Sequence, residues 1–95
     1  MPLRGKESFH ARVQRYNRVQ IPVLVRWKHK LEVGEVLYVR LAGSESVHVE
    51  EFHARVVQGG RITIPKLVVE LLGIEAGDVV YVMLYPVEQP SEEED

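Results

Sequence analysis

Apolar and polar residues alternate strictly from position 9. Phe9, Ala11 and Val13 share one parity, and His10, Arg12 and Gln14 the other. A period of two predicts a strand with one buried face. The pattern returns at Phe52, Ala54 and Val56 within the same five letters, FHARV. After each strand comes a turn, RYN in the first case and QGG in the second. Gly59-Gly60 suits a tight hairpin that needs positive φ, and Asn17 is the next-best residue for that conformation. Short strands RVQI and RITI follow, with Val19/Ile21 and Ile62/Ile64 facing inward. Pro22 and Pro65 then occupy matching positions suited to the first turn of a helix. The spacing of Leu67, Val68, Leu71 and Leu72 predicts a helix over Lys66–Leu72 with one apolar stripe. Gly73 stands at its C-terminal cap. The matching stripe in the first half is Leu24, Val25, Trp27 and Leu31. A last strand in each half points Leu37, Val39 and Leu41, or Val80, Val82 and Leu84, at the core.

These parallels are one tandem duplication. With an offset of 43, residues 9–41 align without gaps on residues 52–84, and sixteen of the 33 columns are identical. Each copy reads strand–strand–helix–strand and is too short to bury much core alone, so the copies must share one. The expectation is an all-β fold with two short helices: a small, closed, six-stranded barrel with pseudo-two-fold symmetry, in which six strands leave no edge. Residues 1–87 form one domain, expected to be monomeric because one chain supplies both halves. Residues 88–95, EQPSEEED, read as a disordered acidic tail.

The second copy, GGRITIPKLVVELLGIEAGDVVYVML, resembles the DNA-binding domain of AbrB/SpoVT/MazE-type transcription factors. The shared marks are Gly-Arg, a short strand ending Ile-Pro, an amphipathic helix ending Leu-Gly-Ile, and a Gly-Asp turn before a strand. The first copy keeps NRVQIP and LEVGEVLYV and replaces Leu-Gly-Ile with HKL. Relatives of that family carry one copy and dimerise, add a fourth strand, and usually place paired arginines where this chain has Val69-Glu70. The duplicated unit is similar to the cradle-loop barrels, the RIFT barrel being favoured over the double-psi form, and to small archaeal single-chain relatives of AbrB. The resemblance implies a cytoplasmic, non-enzymatic DNA-binding module of regulatory type. The alternative is a cradle-loop barrel that binds a small anionic ligand, a nucleotide or a protein partner without binding DNA.

Charge changes this picture. Residues 1–43 hold nine Lys/Arg against three Glu, and residues 44–95 hold three Lys/Arg against eleven Asp/Glu. The basic half is therefore expected to carry any nucleic-acid contact. Candidate residues are Arg12, Arg15, Arg18, Arg26, Lys28, Lys30 and Arg61. Arg18 and Arg61 follow the two hairpin turns, and a guanidinium's planar fork fits phosphates and guanine edges. Arg26, His29 and Lys30 fall at i, i+3 and i+4, one helix face. Against these stands the commoner case of solvated or carboxylate-paired surface cations.

The chain has no cysteine, which excludes disulfides and thiolate metal sites. Its histidines lack metal-ligand spacing, and no nucleophile or phosphate-loop motif is present. No metal, cofactor or enzyme activity is expected. The start MPLRGKESFH reads as no signal peptide, and no run approaches a membrane span. Glu35 and Asp78 are expected to serve the turns before the last strands. Tyr38 and Tyr81 read as structural strand aromatics.

Overall fold

The computed structural model describes residues 3–43 and 47–87; the acidic segment 88–95 lies outside them. Six strands and two helices follow the predicted order: β1 Glu7–Arg12, β2 Arg18–Gln20, α1 Val23–His29, β3 Val36–Gly43, β4 Val49–Arg55, β5 Arg61–Thr63, α2 Lys66–Leu72 and β6 Val79–Tyr85. The two copies do not fold side by side. They interlock: β1 pairs with β6, β4 pairs with β3, and β3 pairs with β6, all antiparallel.

The expected closed barrel is not what forms. The strands lie in two sheets, a four-stranded one ordered β1-β6-β3-β4 and a two-stranded ribbon of β2 and β5. Between β1 and β2 there is a single bridge, Gln14 to Arg18, and between β4 and β5 a single bridge, Val57 to Arg61. The reason is the length of β2 and β5. Each has three residues, and Pro22 and Pro65 stand two residues beyond it. Proline has no amide hydrogen to extend a ladder. The ribbon therefore lies over the four-stranded sheet without joining either of its edges, β1 and β4.

The duplication holds down to single hydrogen bonds. Val13 N–H donates to Asp78 O at 2.7 Å and Val56 N–H to Glu35 O at 2.8 Å. Ile21 N–H donates to Gly60 O at 2.9 Å, and Ile64 N–H to Asn17 O at 2.7 Å. The turn before β6 is held by Glu75 N–H donating to Asp78 Oδ2 at 2.9 Å, and that before β3 by the equivalent bond from Glu32 to Glu35. Asp78 and Glu35 thus do the turn work expected of them. Asn17 takes positive φ as predicted, and Tyr16 joins it. Gly73 ends α2 in the left-handed region, and Lys30 takes the same conformation at the end of α1.

The core is the predicted one on the strands. Val19, Ile21, Ile62 and Ile64, with Leu37, Val39 and Leu41 of β3 and Val80, Val82 and Leu84 of β6, are closed to solvent. The helices differ from expectation. Leu24, Trp27, Leu67 and Leu71 face out, whereas Val25, Leu31, Val68, Val69 and Leu72 pack on the core. A two-turn helix presents only a narrow stripe inward. Each cap carbonyl receives amide hydrogens from the first turn, Pro22 O from Val25 and Arg26 and Pro65 O from Val69. Pro22 and Pro65 stand one residue before the helices, as their caps.

Ile21→Asp or Ile64→Asp is expected to abolish folding. Both sites are sealed, and an unpaired buried carboxylate costs several kcal/mol out of the ~5–15 kcal/mol that stabilise a domain. Thermal melts by circular dichroism check this; a melting point within a few degrees of the parent's would contradict the packing described.

Candidate nucleic-acid interface

The ribbon positions the candidate arginines. Val19 and Ile62 point into the core, so Arg18, Gln20, Arg61 and Thr63 share the outer side, and register pairs Arg18 with Thr63 and Gln20 with Arg61. Arg18 and Arg61 therefore lie on one surface at opposite ends of the ribbon, one from each half of the chain. The Arg18 guanidinium stands 5.9 Å from the ring centre of Tyr16, a cation–π arrangement. Where the first half has Tyr16, the second has Gly59, and the Arg61 guanidinium lies against that turn. A Cβ on Gly59 would come within 3.1 Å of Arg61 Nη2.

Gly60 is tighter still. A Cβ there would sit 2.5 Å from Arg26 Cδ and 2.6 Å from its Nε. The glycine pair thus answers to two constraints, positive φ at 85° and 77° and the approach of two arginines. Arg26 Nε donates to Ile21 O at 3.1 Å. Gln20 completes the cluster: its Nε2 donates to Gly59 O at 2.7 Å and to Gly60 O at 3.2 Å. Arg61 Nε is enclosed without an acceptor among the described residues. Gln20 was not among the sequence candidates, because a neutral side chain in a strand carries no charge signal. Its place opposite Arg61 appears only with the pairing of β2 and β5.

The remaining candidates distribute differently. Arg15 is exposed in the turn Arg15–Asn17. Arg12 Nη1 donates to Gly77 O at 2.6 Å, and its repeat partner Arg55, not singled out from sequence, donates to Gly34 O at 2.8 Å. Both tie the ends of β1 and β4 to the turns before β6 and β3. Arg26 and Lys30 border a shallow surface depression with Trp27, Leu31 and Glu32.

The predicted Arg26–His29–Lys30 face does not exist as such, because His29 is buried. Its Nδ1 accepts from Arg4 N–H at 3.0 Å, and its Nε2 lies 2.7 Å from Glu7 Oε2. Those partners fit one tautomer, with Nε2–H donating to the Glu7 carboxylate. Lys28 Nζ also reaches Glu7, at 3.1 Å, so Lys28 serves the clasp that ties the start of β1 and the segment before it to α1. Leu3, the residue before Arg4, is buried in the core. The sequence carried no sign of this clasp, since its members are distant along the chain.

Among the described residues no group of three or more His, Cys, Asp or Glu could hold a metal ion. Among them, too, no helix is long and apolar enough to cross a membrane.

The clasp carries a pH dependence. The hydrogen bond from His29, then that from Lys28, holds the Glu7 carboxyl below its ordinary 4.5. A depressed carboxyl pKa gives stability that is present above the unfolded-state value and lost as pH falls through the folded one. Glu7→Gln keeps an acceptor but loses the charge, and solvent screens the pair with exposed Lys28, so it is expected to cost about 0.5–1.5 kcal/mol at neutral pH, with the gap to the parent closing below about 4.5. Urea unfolding across that range measures it; a gap independent of pH would contradict the clasp.

No protein-family model matches the chain, and no curated protein does. Among solved structures it is similar to the solution structure of PHS018 from Pyrococcus horikoshii. The two share 31% identity over 94% of this chain and 99% of that one, with a TM-score of 0.72. With that identity over nearly the whole of both, the chain belongs to the same family as this archaeal protein.

Proposed function

We propose that the protein binds duplex DNA through the outer side of the β2–β5 ribbon. One observation carries the reading. Every outward position of the ribbon is polar or basic (Arg18, Gln20, Arg61 and Thr63), and both ends of the ribbon are bounded by positive-φ turns. A two-stranded ribbon is one of the two elements that the major groove admits, and arginine is among the side chains that read base edges there. Exposed Arg15 extends the basic surface beyond the ribbon and suits phosphates. The resemblance of the Gly-Arg, Ile-Pro and Gly-Asp positions to AbrB-type domains supports the same surface.

This reading alters where the contact should lie. It draws on both halves of the chain, because Arg18 and Arg61 meet on one ribbon, rather than on the basic first half alone. It leaves Lys28 out, since that cation is engaged by Glu7.

A salt titration of binding to mixed-sequence duplex DNA tests it. Neutralising a phosphate contact lowers the slope of log K against log salt by about 0.9. Arg18→Ala and Arg61→Ala should each weaken binding, the double variant more, with slopes flattened by about 0.9 for each arginine on a phosphate. Lys28→Ala should leave binding unchanged. Parent protein that does not bind at low salt, or a Lys28 variant as impaired as the ribbon variants, would refute the assignment.

A further inference from the structure

The outer face of the four-stranded sheet carries a cluster that the ribbon does not use. Register sets Tyr85, Tyr38 and His53 side by side across β6, β3 and β4. Tyr38 lies 5.8 Å from Tyr85 and 5.2 Å from His53, centre to centre. The Arg40 guanidinium stands 5.5 Å from the Tyr85 ring centre. A second pair, His10 and Tyr81, sits 4.9 Å apart toward the other end of the sheet. Tyr81 and Tyr85 are four residues apart on one strand, about 13 Å at ~3.3 Å per residue. All three tyrosines are partly exposed.

Duplication accounts for part of this. His10 and His53 are repeat partners, as are Tyr38 and Tyr81. It does not account for Tyr85 or Arg40, whose partners are Ala42 and Met83. One end of the sheet has therefore gained a third ring and a cation that the copy lacks. The same end borders a depression of about 420 Å³ lined by Tyr38, His53, Tyr85, Pro86 and Val87. Glu51 fixes the arrangement by accepting from the Tyr38 hydroxyl and pairing with Arg40 Nε at 2.9 Å.

We infer that this face binds single-stranded nucleic acid, with unpaired bases stacking on the Tyr85–Tyr38–His53 row and on the His10–Tyr81 pair. Every base has a π-face, so aromatic side chains on an open sheet accept bases with little regard to sequence. Charge favours the same occupant: the outward positions of the sheet include Arg12, Arg40 and Arg55 against Glu51, a net positive surface suited to a phosphate backbone. Two stacking stations about 13 Å apart on one strand fit a chain of nucleotides better than one free base.

The test is fluorescence anisotropy with a labelled, mixed-sequence single-stranded DNA oligonucleotide. Unlabelled duplex and free mononucleotides serve as competitors, and sedimentation runs alongside. Tyr85→Ala should weaken single-strand binding by about five- to 150-fold, the span of one base–aromatic stack, and Tyr85→Phe by less than about twofold, since the ring remains. Arg18→Ala with Arg61→Ala should leave it intact. Should Tyr85→Ala fail to fold, Tyr81→Ala against Tyr81→Phe applies the same criterion. Equal losses in the Ala and Phe variants, no loss in either, or no single-strand binding by the parent would overturn the inference. So would mononucleotides competing as well as the oligonucleotide. A dimer that Tyr85→Ala splits, with no oligonucleotide bound, would give the face to a second copy of the chain instead.

Discussion

Everything in this molecule hangs on the antiparallel pairing of β3 with β6. The two strands are repeat equivalents, and they meet along Tyr38–Gly43 and Val80–Tyr85, across the pseudo-two-fold axis. Their inward residues, Leu37, Val39, Leu41, Val80, Val82 and Leu84, are all closed to solvent. Fully burying one such side chain contributes about 1.5–3 kcal/mol, so this seam holds much of the core. Each seam strand then templates the first strand of the other copy: β6 receives β1, and β3 receives β4. Without the seam neither copy has anything to lay its first strand on.

The seam also sets where the ribbon and the open sheet face fall. Because β1 and β4 are placed by it, the hairpin turns that follow them approach from opposite sides. Ile21 then takes the Gly60 carbonyl and Ile64 the Asn17 carbonyl, which draws β2 and β5 together as a ribbon. The ribbon covers one side of the large sheet and leaves the other open, with Tyr38, Tyr81 and Tyr85 on the open side. Two surfaces of different chemistry result: a guanidinium-rich strip over the core and an aromatic face behind it.

Much of this was legible in the sequence, for a physical reason: alternation reports burial directly wherever one strand face meets solvent. The parity of Val19, Ile21, Ile62, Ile64 and both seam strands read correctly, as did the turn roles of Glu35 and Asp78 and the left-handed Asn17 and Gly73. Three things did not read. Barrel closure depends on whether three-residue strands can carry a ladder past a proline, and hydropathy has no information on that. Both helical stripes were misassigned because a run such as LVVELL is apolar on more than one side, so apolarity alone does not say which side goes inward. His29 read as a surface cation because its partners, Arg4 and Glu7, lie more than twenty positions away. Arg18 and Arg61 were singled out by repeat position, whereas the place of Gln20 beside them and the Tyr85–Arg40 contact needed strand register to appear.

The connection from β3 to β4 has a consequence of its own. Two separate chains built this way would assemble only as concentration allowed, and every change would appear twice. Tethering raises the effective concentration of one half near the other to the order of millimolar and frees each copy to vary alone. The chain shows that freedom in Arg26 against Val69, Tyr16 against Gly59 and Tyr85 against Ala42. Symmetric dimers match symmetric, palindromic targets. Here the axis survives in the backbone and is broken in the side chains, so a ligand laid across it would meet two unlike ends and favour one direction over the other.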